Sequence, residues 1–167
     1  MNQKQNITIL GLGNILVGDD GFGVHFITWF SERYHLPENV SLVDGGTAGL
    51  GLLNAVTGAD FLIVIDAIKA NDAPGSIYRF TKEDMTDYLP PPTSAHEVEF
   101  LDVLAMADLL GQCPPVVFLT VVPEKYDTME LKISDLMMKR FADMERLLLE
   151  ELTGLSVKLE RNQRCTS

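Results

Sequence analysis

The chain has 167 residues, 46% of them hydrophobic, which predicts one globular domain with a real core rather than a disordered segment. Acidic residues outnumber basic ones by 24 to 13, and the net charge of −11 argues against nucleic acid and anionic membranes as partners. The two cysteines, Cys113 and Cys165, suggest neither a disulfide framework nor a zinc site, which favours a reducing cytoplasm as the location.

The N-terminal residues and the longest apolar runs bear on targeting and membrane insertion. The first ten residues, MNQKQNITIL, contain one lysine and no long apolar run, so they do not resemble a signal peptide. No apolar run approaches the roughly 20 residues of a membrane helix. We expect a monomer with a single domain over residues 1–153 and a C-terminal tail over residues 154–167, loose and most so at residues 161–167.

Apolar runs alternate with amphipathic stretches along the chain. The apolar runs predict strands covered on both faces, at residues 7–12, 40–43, 61–65, 77–80 and 116–122. The amphipathic stretches predict helices, at residues 21–34, 50–56, 97–110 and 134–152. Ser94 and Glu97, three residues apart, are typical of a capping box at the start of the third helix.

This alternation predicts an α/β fold, a three-layer α/β/α sandwich around one open, mostly parallel five-stranded sheet. Only about ten residues, AIKANDAPGS, separate the third strand from the fourth. Because a parallel crossover needs roughly a dozen or more residues, we expect the fourth strand to run antiparallel to its neighbour.

Ligands of open α/β sheets bind at the carboxyl ends of the strands, so polar side chains there are candidates for function. Asp19 and Asp20 follow the first strand, and Asp44 follows the second. Asp66 ends the third strand run, FLIVID, and His96 enters the third helix. Four segments thus bring acids or an imidazole to the same edge of the sheet.

Several of these polar residues also have a structural interpretation. One acid is enough to cap the first helix, so we assign Asp20 to function and Asp19 to structure. Asp44 is interpreted as a turn or cap residue before two glycines, with a supporting role in the site at most. His25, within the first helix, and His35, at its far end, are interpreted as structural or surface residues.

Asp66 and His96 are harder to explain by structure alone. A carboxylate at the end of a central strand is costly unless it is paired, hydrogen-bonded or bound to a metal. The helix dipole at His96 disfavours the imidazolium, and the neutral imidazole is the form that binds metals. Asp20, Asp66 and His96 together predict a site for nickel, zinc, manganese or iron, with positions open for substrate or water.

Other catalytic and cofactor motifs match poorly. GLGNIL resembles the start of a dinucleotide-binding loop, but Leu16 replaces the third glycine and the Asp19–Asp20 pair would repel a pyrophosphate. The pair His96–Glu97 is not the helical zinc-protease motif, because Phe100 stands where the second histidine belongs. The sequence also has no G-x-S-x-G elbow, no Walker lysine and no Cys–His nucleophile pair at this edge.

Five stretches follow one another in chain order over residues 7–150: GLGNILVGDDGFGV, LVDGGTAGLGLL, FLIVIDAI, SAHEVEFLDVLA and VVPE. Together they resemble the hydrogenase maturation protease family, the endopeptidases that finish the large subunit of [NiFe] hydrogenases. The resemblance implies a three-layer α/β/α fold. It also implies removal of a short C-terminal peptide from the large-subunit precursor, after a basic residue and only once nickel has been inserted.

The resemblance also assigns roles to residues. It matches the family's metal-binding acid with Asp20, where many relatives carry Glu, its strand-end Asp with Asp66, and its loop His with His96. It implies that nickel is supplied by the substrate and that the protein holds no permanently bound cofactor. Which hydrogenase is served would depend on the loops at residues 84–94 and 124–133.

Alternatives for mechanism and function stay open at this point. Hydrolysis could use a metal-polarised carbonyl or metal-activated water, or it could use the carboxylates as general acid and base. A chaperone that senses nickel with the same three ligands, without cleavage, is the alternative function. A cofactor-binding oxidoreductase is a third class, and it would carry a bound dinucleotide.

Overall fold

A computed structural model describes residues 4–85 and 95–162 of the chain. The main sheet contains five strands, β1 (Ile7–Leu12), β3 (Val40–Gly46), β4 (Phe61–Ala67), β5 (Ile77–Thr81) and β6 (Val116–Val121). Two short strands, β2 (Tyr34–His35) and β7 (Glu160–Arg161), form a separate antiparallel pair. The helices are α1 (Phe22–Ser31), α2 (Leu53–Thr57), α3 (Ala95–Leu109) and α4 (Asp135–Gly154).

The strand order in the main sheet is β3-β1-β4-β6-β5. The pairs of β1 with β3, β1 with β4, and β4 with β6 are parallel, whereas β5 runs antiparallel to β6. This arrangement confirms the mostly parallel five-stranded sheet and the antiparallel fourth strand of the sequence prediction. β5 lies at one edge of the sheet. The short connection from β4 can reach it because an antiparallel strand needs no helical crossover.

Helices cover both faces of the sheet, and each face has its own hydrophobic core. The first face packs against α1 and α4, and its fully buried side chains include Phe22, Phe26, Phe30, Ile65 and Met144. The second face packs against α2 and α3, and its buried side chains include Leu10, Leu62, Val64, Phe100 and Phe118. The predicted three-layer sandwich is therefore the observed architecture.

Two predicted helices begin or end differently in the structure. The segment at residues 21–34 starts as a 3-10 turn at Gly18–Gly21, and α1 ends at Ser31 because Tyr34–His35 forms β2. The segment at residues 50–56 also begins as a 3-10 turn, Gly49–Leu52, since the glycines there weaken an α-helix. The predicted capping box falls on Ser94, which lies outside the described residues.

The prediction of a loose tail is wrong for the described residues that follow α4. Val157 is buried in the core of the first face, and Arg161 pairs with Tyr34 in the short sheet. The backbone N–H of Asn162 also donates to the carbonyl of Arg33, at 2.8 Å. Apolar side chains in the tail therefore anchor it beside α1. The polar composition of the last residues gave no indication of this packing.

In residues 4–85 and 95–162, no helix is both long enough and apolar enough to cross a membrane. Cys113 is a partly exposed free thiol, whereas Cys165 lies outside the described residues. The described part of the chain therefore gives no evidence for a membrane span.

Candidate functional site

The candidate site lies where the strand order of the sheet reverses. After β1 the chain adds β3 on one side, and it then returns to place β4 on the other side of β1. In open α/β sheets such a reversal opens a crevice at the carboxyl ends of the two central strands, and ligands bind there. The turn Gly18–Gly21 follows β1 at this crevice, and Asp66 lies near the end of β4.

Two glycines allow the turn after β1 to approach the sheet closely. A Cβ atom at Gly23 would lie 2.1 Å from the carbonyl oxygen of Ile65, so α1 begins directly against the backbone of β4. Gly13 has a φ of +124°, and a Cβ atom there would lie 1.8 Å from the carbonyl oxygen of Asp20. Only glycine permits both contacts, which hold Asp20 beside the end of β4.

Asp19 is fully buried and accepts four hydrogen bonds. Its Oδ2 accepts from the backbone N–H groups of Glu124 and Lys125 and from the Ser134 hydroxyl, at 2.8 to 3.0 Å. Its Oδ1 accepts from the backbone N–H of Ser134, at 2.6 Å. Asp19 therefore joins the turn after β1 to the loop after β6 and to the N-cap of α4, in agreement with its structural assignment.

Asp20 points towards the site and is partly exposed. Its Oδ2 accepts a hydrogen bond from the backbone N–H of Asn14 at 3.1 Å, and it lies 3.6 Å from Nδ1 of His96. The side chain of Asn14 in turn accepts from the backbone N–H of Leu16, which fixes the turn. Sequence reasoning missed Asn14, although an asparagine that bonds to a backbone N–H two residues on is a common turn signal.

Asp66 and His96 are both buried and lie side by side. Nε2 of His96 is 3.4 Å from Oδ1 of Asp66, which also accepts a hydrogen bond from the backbone N–H of Ala67 at 2.8 Å. At 3.4 Å this contact is longer than an ordinary hydrogen bond, and it is an ion pair when the imidazole is protonated. The imidazole thus lies between two carboxylates, with one nitrogen directed to each.

This arrangement shifts the pKa values of Asp66 and His96 in the free protein. Burial raises the pKa of Asp66 to about 6, although the neighbouring His96 opposes the shift. Burial alone would lower the pKa of His96, but the Asp66 and Asp20 carboxylates outweigh it and raise that pKa to about 9. The two nearby carboxylates therefore oppose the partial charge of the helix end, which alone would favour a neutral His96.

The three predicted ligands are brought together but do not form a ready metal site. In residues 4–85 and 95–162, no three His, Cys, Asp or Glu side chains are arranged as ligands of one ion. The reason lies in the distances, since Asp20 and Asp66 approach opposite nitrogens of the same ring. A shared ion would require at least one of the three side chains to move.

The remaining acidic and histidine candidates lie outside this group. Asp44 is exposed within β3, and His35 is exposed within β2. His25 is partly buried within α1, and burial lowers its pKa. These positions agree with the structural and surface interpretations of the two histidines.

Comparison with known proteins connects this geometry to a family. Residues 24–151 match the HycI family model, described as hydrogenase maturation protease, a range that includes Asp66 and His96 and begins just after Asp20. HupD of Bradyrhizobium diazoefficiens, a hydrogenase expression/formation protein, is 42% identical over 68% of this chain and 59% of its own length. The hydrogenase 2 maturation protease of Escherichia coli is 36% identical over 72% of this chain and 75% of its own length.

A solved structure extends the similarity to the whole fold. The hydrogenase maturating endopeptidase HybD from E. coli superposes with a TM-score of 0.89 and 29% identity, over 97% of this chain and 99% of that one. The chain spans 53% to 60% of the length of four curated relatives named HupD, HoxM or HupM. From the family match, the sequence identity and the shared fold, this chain belongs to the hydrogenase maturation protease family.

Proposed function

We propose that this protein is an endopeptidase that removes a C-terminal peptide from the precursor of a [NiFe]-hydrogenase large subunit. In this proposal cleavage follows nickel insertion, and the enzyme recognises the nickel already bound in its substrate. The observation that carries the proposal is the meeting of Asp20, Asp66 and His96, each contact within 3.6 Å, at the ligand-binding edge of the sheet. Family membership indicates which reaction such a site would serve.

The charges of the three side chains suit a divalent ion delivered by the substrate. Two carboxylates and a neutral imidazole carry a charge of −2, which balances one divalent cation. In the free protein the proton on His96 partly offsets the repulsion between Asp20 and Asp66. Nickel that binds to His96 would displace this proton, because metal ligands must be deprotonated.

The contacts of the two carboxylates leave room for such an exchange. Asp20 is also held by a hydrogen bond from the backbone N–H of Asn14, a contact that does not involve His96. Asp66 uses Oδ1 for the Ala67 N–H and for His96, so its Oδ2 takes part in neither contact. A small rotation of either carboxylate or of the imidazole would direct all three side chains at one ion, which would hold the scissile peptide close to them.

Hydrolysis adds the oxygen of water to the scissile carbonyl carbon, breaks the C–N bond and transfers a proton to the leaving amine. The water can be activated by the substrate's nickel or by one of the carboxylates as a general base. Asp66 is the group suited to exchange a proton near neutral pH, because burial raises its pKa to about 6. Neither route needs a serine or cysteine nucleophile.

The test compares nickel-loaded and nickel-free precursor as substrates. Each is incubated with the protein, and the mass of the precursor is measured over time. Loss of a short C-terminal peptide from the nickel-loaded form alone supports the proposal. Equal cleavage of both forms contradicts nickel recognition, whereas a stable complex with intact precursor identifies a chaperone. Bound dinucleotide in the purified protein, visible by absorbance, would instead identify an oxidoreductase.

We also propose that the protein acts as a cytoplasmic monomer. The free thiol of Cys113 is compatible with a reducing compartment, and the net charge of −11 disfavours nucleic acid as a partner. Sedimentation analysis at micromolar concentration tests the oligomeric state, and a dimer would contradict this part of the proposal.

A further inference from the structure

Thr120 on β6 has a buried hydroxyl group without a partner. The residue has no exposed surface, and its Oγ1 has no hydrogen-bond partner among the described residues. A buried polar group without a hydrogen bond destabilises the folded state, and such groups are rare in native proteins. The hydroxyl of Thr120 therefore needs an explanation other than stability.

The register of the sheet places Thr120 beside Asp66. The two residues are direct partners in the parallel pairing of β4 with β6, so their side chains project from the same face of the sheet. Their neighbours Ile65 and Leu119 belong to the core of the first face, so Asp66 and Thr120 both lie on the second face. Adjacent strands are about 4.8 Å apart, which puts the hydroxyl within a side-chain rotation of the carboxylate.

The strand on the other side of Thr120 offers no competing partner. Tyr78 on β5 pairs with Thr120, but the Tyr78 hydroxyl donates to the carboxylate of Asp72. Asp66, in contrast, contacts the Ala67 N–H and His96 through Oδ1, so Oδ2 takes part in neither contact. A hydroxyl without a partner and a carboxylate with a second oxygen therefore lie on neighbouring strands.

We propose that Thr120 is a positioning residue, which donates a hydrogen bond to the Asp66 carboxylate when the substrate's metal draws that carboxylate away from His96. This inference rests on the proposed function of the site. Direct contact of Thr120 with the substrate is disfavoured because its side chain has no exposed surface. The hydroxyl thus acts through Asp66, whose orientation it fixes in the metal-bound state.

The test uses two variants of Thr120 and one matched control. Thr120→Val removes the hydroxyl but keeps the shape of the side chain, and Thr120→Ser keeps the hydroxyl. Thr8→Val is the control, because Thr8 is also buried and its hydroxyl lies 3.5 Å from that of Ser41. For each variant we measure the Tm, the rate of cleavage of nickel-loaded precursor, and the affinity for nickel alone by calorimetry.

We expect Thr120→Val to unfold at the same Tm as wild type or a few degrees higher, because an unpaired buried hydroxyl is removed. The same variant should cleave precursor at least about tenfold more slowly and bind nickel at least about tenfold more weakly. This is the usual effect of losing a group that orients a metal ligand. Thr120→Ser should restore both properties. Thr8→Val should leave both unchanged.

Three results would overturn the role of Thr120. They are wild-type cleavage by Thr120→Val, a Thr120→Ser variant as slow as Thr120→Val, and a Tm for Thr120→Val well below that of wild type. A wild-type protein that leaves nickel-loaded precursor intact contradicts the proposed function instead. In that case the nickel affinities of wild type and Thr120→Val still decide whether the hydroxyl supports Asp66.

Discussion

The two faces of the sheet receive different side chains from the same three central strands. On the first face, β1, β4 and β6 contribute only apolar residues, which pack against aromatic side chains of α1 and α4. On the second face the same strands contribute Thr8, Asp66 and Thr120, all buried. His96 lies on α3, which covers this second face. The comparison indicates that both faces stabilise the fold through apolar cores, whereas only the second also carries buried polar groups that cost stability.

Removing the polar groups of the candidate site should have the largest effect on activity and little effect on folding. We expect Asp20→Ala, Asp66→Ala and His96→Ala each to reduce processing of nickel-loaded precursor at least about 1000-fold, because each removes a contact at the reacting centre. Asp66→Ala should also change the free energy of unfolding, since it removes a buried acid and, with it, a partner of the buried His96. Mass spectrometry of the precursor and thermal unfolding measure the two effects.

Asp44→Ala is the matched control for these substitutions, because Asp44 is an exposed acid near the end of β3. It should process precursor at the wild-type rate. If His96→Ala or Asp20→Ala trims precursor as fast as Asp44→Ala does, the assignment of the site residues is wrong.

Truncating a core side chain on the first face should lower stability and leave activity unchanged. Phe141 packs edge-on against Phe22 and Phe26, and Phe141→Ala should lower the free energy of unfolding by about 3–5 kcal/mol through the cavity it leaves. The folded fraction should still cleave precursor at the wild-type rate at low temperature. Met138→Ala, at an exposed position of the same helix, should change stability by less than about 0.5 kcal/mol. A Phe141→Ala variant that folds stably but is inactive would contradict the division between the faces.

Asp19 should show an intermediate effect, because it stabilises the fold next to the site. Asp19→Asn replaces an acceptor oxygen with an amide group that faces N–H donors, and it should destabilise the protein by about 2–3 kcal/mol. Asp60→Asn changes an exposed acceptor of one backbone hydrogen bond and should cost under about 1 kcal/mol. Urea unfolding of both variants measures the difference. If Asp19→Asn and Asp60→Asn destabilise the protein equally, burial of the Asp19 hydrogen bonds contributes little to stability.

The pH dependence of stability should show the smallest effect. The pKa of His96 is raised from 6.5 to about 9. Its contribution to the free energy of unfolding is therefore complete below pH 6.5 and is lost as the pH rises through 9. The loss should be on the order of 1–2 kcal/mol, below the full value of the shift because the Asp66 carboxylate that stabilises the imidazolium is itself disfavoured by burial. His96→Gln should lack this decline, as measured by urea unfolding at pH 6 and pH 9.5. If the stability of His96→Gln falls by the same amount between pH 6 and pH 9.5, other titrating groups cause the decline.

Much of the fold could be predicted because it depends on local properties of the sequence. The strands follow from short apolar runs, and the antiparallel direction of β5 follows from the length of one connection. Segment order also indicated which edge of the sheet would carry Asp20, Asp66 and His96. The ends of α1 were less predictable, because Tyr34 leaves the helix to pair with Arg161, far along the chain.

By itself, the sequence determined the sheet, its helical layers and the three side chains at its carboxyl edge, since periodicity, run length and loop length act over neighbouring residues. Only the tertiary structure decided that Asp19 is enclosed by four hydrogen bonds and that the His96 imidazole lies between two carboxylates. It also decided that the Thr120 hydroxyl lies unpaired beside Asp66. These properties depend on distances between segments remote in the chain, because charge, burial and hydrogen bonding are set by whatever lies nearby in space.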